Sequence, residues 1–132
     1  MPIRASRECY EPSRSIHVTE PLYPPSSREL VEKRRALAPD AEKAFQAFSQ
    51  AVFADGALSP KIKQLIAVAV AHVTQCPYCI RSHTKAALRQ GASRAELMEA
   101  IWVAAEMRAG GAYAHSMLSL AAMDGSDGLR GG

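Results

Sequence analysis

A chain of 132 residues that is 48% hydrophobic and 22% charged is long enough to build one domain with its own core and too short for two. Its 16 basic and 13 acidic residues leave a net charge of +3 with no concentrated basic face, which argues against nucleic acid as a partner. Leu65 to Ala71, the longest apolar run, is far too short to span a bilayer, so no membrane association is expected.

From the N-terminus, residues 1–27 hold Pro2, Pro12, Pro21, Pro24 and Pro25 among serines and arginines, without an apolar period, and read as an extended arm. A short charged helix is expected from Ser27 to Ala38, ended by Pro39. Asp40 then serves as the expected cap of a second helix, whose Ala44, Phe45, Phe48, Val52 and Phe53 recur at three- and four-residue spacing, with Gly56 just past its end. Ser59-Pro60 supplies an N-cap and a first-turn proline for a third helix reaching Val73. That helix is apolar over most of its circumference, as a buried helix would be. Lys61, Gln64 and His72 form its one polar stripe, which runs toward Cys76. Cys76-Pro77 opens the next helix, which ends near Leu88 before Gly91. Ser93-Arg94-Ala95-Glu96 matches a capping box for a helix that buries Leu97, Met98, Ile101, Trp102 and Ala105. Gly110-Gly111 interrupts the pattern, so either a final helix or a kinked continuation should follow as far as Met123, ahead of a glycine-rich tail. No alternating strand pattern occurs anywhere. The expected architecture is all-α, a compact bundle of about five to six helices over residues 28–124, with the arm at 1–27 and a flexible tail at 125–132.

The chemistry concentrates in Cys76-Pro77-Tyr78-Cys79-Ile80-Arg81-Ser82-His83. Met1 to Cys9 carries arginines but no apolar stretch, unlike a secretory signal, so the expected compartment is cytoplasmic. There a close cysteine pair serves redox or metal chemistry more often than structural stapling. With Cys76 as N-cap, both sulfurs sit beside unpaired backbone N–H groups at the positive end of the helix dipole, where a thiolate is stabilised. One helical turn separates them, close enough to close a reversible disulfide. His83 is four residues beyond Cys79, on the same face, so its imidazole can act as base or cationic partner for that thiol. This favours Cys79 as the attacking sulfur and Cys76 as the resolving one. Arg81 is expected to point away from that face. Gln64 and His72 either neighbour the thiols or satisfy hydrogen bonds in a buried interface. Zinc is the rival reading: Cys76, Cys79 and His83 are three ligands, and Cys9, His72 or His115 could add a fourth, but the spacing is not that of common zinc sites. Ile80 excludes c-type haem attachment, which needs histidine there. The redox reading requires no metal and no cofactor beyond a redox-active Cys76–Cys79 disulfide.

Lys61 to Val68, followed by the Cys76 to His83 block, resembles the alkylhydroperoxidase D-like branch of the carboxymuconolactone decarboxylase family. The likeness covers about residues 40 to 123 and includes Ala100-Ile101-Trp102 and Ala112-Tyr113-Ala114-His115. It implies an all-α fold, assembly into a homo-oligomer (trimer or hexamer), and reduction of a hydroperoxide substrate by a thiol pair. An external dithiol reductant of lipoyl or thioredoxin type would then re-reduce that pair. The resemblance also makes the second cysteine the one that attacks peroxide. It places a glutamate of a proton relay at position 64, where this chain has Gln64; an amide cannot accept and release a proton, so the relay is weakened or rebuilt around His72. A lactone decarboxylase-type activity is the enzymatic alternative, though that branch does not depend on a C-x-x-C pair. A zinc-binding or purely structural oligomer is the non-enzymatic one.

Overall fold

The structure is a computed structural model, and residues 22–125 are described. They form five helices in the order α1 (Arg28–Leu37), α2 (Pro39–Phe53), α3 (Pro60–Val73), α4 (Pro77–Arg89) and α5 (Arg94–Met123), and no strand occurs among the described residues. The arm expected over 1–27 lies outside the described residues except for its last six, which run without helix into α1; the tail from 126 onward lies outside them entirely.

Local chemistry sets most of the helix ends. Ser27, Ser59 and Ser93 each accept a backbone N–H through the side chain, and the Ser93–Glu96 capping box is complete in both directions. At the α1–α2 junction the structure corrects the expected boundary. Pro39 does more than end α1: it occupies the first turn of α2, where its missing N–H removes one of the donors that would have no partner. Ala38 is the N-cap without a side-chain bond, and Asp40 falls inside the helix. Gly91, at a φ of +83°, closes α4, and the Ala92 N–H turns back to the Ala87 carbonyl at 3.0 Å.

Two glycines do not break α5, which runs 30 residues straight through Gly110-Gly111. A glycine pair costs about 2 kcal/mol of helix propensity, an amount that long hydrogen-bonded flanks absorb. The described bundle therefore has five helices, with no separate sixth.

α3 is the central element and packs against α4 on one side and α5 on the other, while α1 and α2 attach more lightly at the periphery. Val68, Ala87, Ala92 and Leu97 form the buried cluster, with Leu65 and Ile101 packed on it. Two polar ties hold α3 to α5: Lys61 Nζ meets Glu96 Oε1 at 2.7 Å, and Arg108 donates to the Val73 carbonyl at 3.1 Å, covering the open end of α3. The core of one chain is smaller than the apolar periodicity predicts. Of α3 only Val68 and Ala71 are buried, and Phe45, Phe48, Met98 and Trp102, all expected inside, stand exposed. Five helices of this length do not supply enough partner surface for every apolar face that the sequence encodes.

Candidate active site

Three residues, Thr74 to Cys76, connect α3 to α4, and their backbone geometry places the thiols. Gln75 takes a φ of +55°, and the Cys76 N–H returns to the Ala71 carbonyl at 3.1 Å, which closes α3 with the 6→1 bond of a Schellman turn. A glutamine in the left-handed region costs about 1–2 kcal/mol. That strained residue directly precedes the first cysteine.

Cys76 is the N-cap of α4, and its Sγ accepts the Cys79 backbone N–H at 3.3 Å. The Cys79 thiol also donates to the Cys76 sulfur, and together these bonds hold the Cys76 thiol below its ordinary value. Cys79 is displaced the opposite way, first because its proton is shared with Cys76 and then by desolvation. Of the two thiols Cys76 is thus the more acidic and Cys79 the one that holds its proton longer. Both cysteines are half-buried.

His83, one turn beyond Cys79, is held below its ordinary value by burial, so the imidazole is neutral at pH 7. Its Nδ1 lies 2.8 Å from Gln64 Oε1 of α3. With the amide oxygen turned to the ring, Nδ1 carries the proton and Nε2 keeps its lone pair. Phe53 of α2 stacks on the ring, with centroids 5.2 Å apart and an interplanar angle of 29°. Tyr78 is fixed from the other side: its hydroxyl donates to the Pro24 carbonyl at 2.7 Å, and its ring meets Tyr23 edge to face.

An open groove of about 940 Å³ runs past this constellation, with Cys79 and His83, but not Cys76, in its lining. The structure thus brings Cys76, Cys79, His83 and Gln64 together. His72 it places elsewhere: the ring Nδ1 is bonded to the Val68 carbonyl of its own helix at 2.7 Å, and His72 lines neither this groove nor the smaller cavity around Gln64. Arg81 does not point away from the site as its helical position suggests; it lines the same groove. Phe53, Tyr78 and Gln75 were not singled out from sequence. Their roles come from pairings between α2, α3, α4 and the segment before α1, and the apolar period of α2 was the only trace of Phe53. Among the described residues no three His, Cys, Asp or Glu side chains come together as a metal site would require. No helix among them is long and apolar enough to cross a membrane.

An all-α fold with a cysteine pair at the start of a helix and a histidine one turn later defines a class of helical proteins with a dithiol site. The chain belongs to the carboxymuconolactone decarboxylase family, whose model matches residues 39–122, a family that includes alkylhydroperoxidase-like and decarboxylase-type members. It is 60% identical over 105 residues to uncharacterized protein 4 in the cox locus of Paracoccus denitrificans, covering 80% of this chain and 94% of that one. An uncharacterized protein of Cupriavidus necator is 38% identical over 86 residues, covering 65% of this chain and 76% of the other. Among solved structures, a carboxymuconolactone decarboxylase family protein from Legionella pneumophila in its apo form superposes with a TM-score of 0.59 at 33% identity, covering 75% of this chain and 88% of that one. A protein from Methanobacterium thermoautotrophicum superposes at 0.60 with 36% identity, covering 63% and 93%.

Proposed function

We propose that this protein is a thiol-dependent peroxidase that reduces hydroperoxides through Cys76 and Cys79 and is re-reduced by an external dithiol of lipoyl or thioredoxin type. The observation that carries the reading is the division of labour between the sulfurs. Cys79 faces the groove next to a neutral histidine, while Cys76, which does not line it, is the more acidic thiol and caps the helix.

In the first step His83 takes the Cys79 proton on Nε2, and the thiolate attacks a peroxide oxygen. The S–O bond forms as the O–O bond breaks, the alkoxide leaves with the proton from His83, and the products are a Cys79 sulfenic acid and an alcohol. In the second step Cys76 loses its proton and attacks the Cys79 sulfur; the S–S bond forms as the S–O bond breaks, and the hydroxide leaves as water with the proton that Cys76 gave up. The balance is one dithiol and one hydroperoxide consumed for one disulfide, one alcohol and one water. Thiol–disulfide exchange with the external dithiol returns both thiols. Gln64 exchanges no proton in this scheme; it holds His83 in the tautomer that can act as base. The exposed apolar faces of α3 and α5 support a homo-oligomer as the working form.

Single-turnover peroxide reduction tests the assignment. Cys79→Ser should give no burst, whereas Cys76→Ser should give one attack per chain that stops at a sulfenic acid or a mixed disulfide. A full burst from Cys79→Ser would transfer the attack to Cys76, and no peroxide consumption by the intact protein with any dithiol would refute the function.

A further inference from the structure

The groove beside Cys79 has a chemical character that oxygen transfer itself does not use. Phe45, Phe48, Val52 and Phe53 of α2 give it an apolar wall. On α4 it is lined by Arg81, Lys85 and Arg89, which recur at four-residue intervals and therefore share one helix face. Among the described residues none of these three cations forms an ion pair or a side-chain hydrogen bond, and no aspartate or glutamate lines the groove. A fourth basic side chain in the lining, Arg34, is committed to Glu42 at 2.9 Å.

Like charges four residues apart oppose helix formation, and only Arg89, in the last turn, gains from the helix dipole. The stripe is thus a cost to α4 that an anion would offset. At 1.5 Å per residue, Lys85 lies about 9 Å and Arg89 about 15 Å along the helix axis from Cys79, distances that an extended alkyl chain spans. Pockets of roughly 300–1,000 Å³ take single small molecules, and this groove falls in that range.

We propose that the groove selects an amphipathic monoanion, a hydroperoxide of a long-chain carboxylic acid. Its chain lies on the phenylalanine wall, its carboxylate sits among Arg81, Lys85 and Arg89, and its peroxide group reaches Cys79. The catalytic half of this inference rests on the peroxidase reading; the binding half does not.

The test separates the two. Calorimetric titration of the reduced full-length protein with dodecanoate and with dodecanol should show the carboxylate binding about tenfold tighter at low salt, a preference that falls severalfold at high salt because exposed charges are screened. In the Arg81→Gln/Lys85→Gln variant that preference should fall to about threefold or less. The turnover arm compares kcat/KM for a long-chain carboxylic acid hydroperoxide with that for its methyl ester, and the acid should lead by a similar ratio. Equal binding of dodecanoate and dodecanol, or no binding of either because a second copy of the chain covers the wall, overturns the proposal. Reduction of tert-butyl hydroperoxide without dodecanoate binding would leave the peroxidase standing and this substrate class refuted. Dodecanoate binding without any peroxide turnover would refute the peroxidase and keep the anion groove.

Discussion

Replacing Gln64 by glutamate changes one atom pair at the site, the 2.8 Å contact with His83 Nδ1, from a neutral hydrogen bond into a charge-assisted one. Two unit charges about 4 Å apart attract by about 4 kcal/mol at an effective dielectric near 20. Solvent screening at a half-buried ring leaves about half of that, which raises the imidazole pKa above its wild-type value. The consequence for stability differs between the two proteins. In the wild type, burial depresses the His83 pKa, so its contribution is present above the unfolded value near 6.5 and is lost as pH falls through the folded value. In Gln64→Glu the ion pair raises the folded pKa relative to wild type, so the variant's advantage is present at low pH and fades as pH rises through its folded pKa. The variant should therefore gain thermal stability relative to wild type near pH 5.5 and lose that gain by about pH 8.5. NMR titration of the His83 ring protons and melting curves across that range measure both effects. A His83 midpoint that does not move, or a stability difference that is flat with pH, would refute the assignment of Gln64 as the partner of the ring.

Four further outcomes are expected. Mass mapping of the oxidised protein should find the Cys76–Cys79 disulfide as the main species with Cys9, which lies outside the described residues, unpaired; a dominant Cys9 disulfide to either thiol would contradict it. Alkylation of Cys79→Ser by iodoacetamide should titrate Cys76 below the ordinary thiol value, because its sulfur still caps α4, and an inflection at or above that value would remove the helix-cap argument. His72→Gln should change the peroxidase rate by less than about threefold, since the ring is bonded to Val68 and does not line the groove; a loss beyond about tenfold, or about 1.4 kcal/mol in the barrier, would bring His72 into the proton route. Light scattering at micromolar concentration should report an oligomer, and a stable monomer would leave the exposed Trp102 and Met107 without an explanation.

Much of the fold is local and could be read from residue types. Ser59-Pro60 and the Ser93–Glu96 box start helices because a side-chain oxygen beside free N–H groups acts over three residues, and Cys76 followed by Pro77 marks the start of α4 for the same reason. The one-turn spacings of Cys76, Cys79 and His83 follow from helix geometry alone. Position 64 was legible too, through the polar stripe of α3 and through the family resemblance. Gly110-Gly111 misled, because propensity is a weak local term and the helix continues on the strength of its flanks.

What only the tertiary structure decided is which groups meet. Gln64 and His72 share a stripe in sequence, yet one reaches His83 across the α3–α4 contact and the other turns back to its own helix. The acidity order of the dithiol was equally beyond the sequence: helix position stabilises a thiolate at either cysteine, and Cys76 becomes the more acidic because the Cys79 N–H and thiol both bond to its sulfur. Periodicity says that Phe45, Phe48 and Trp102 are apolar and share faces with the core, but whether they are covered depends on how much partner surface the other helices bring. Periodicity is a property of one helix, and burial, tautomer and charge placement are properties of pairs of elements, so the first is fixed by local residues and the second waits on packing.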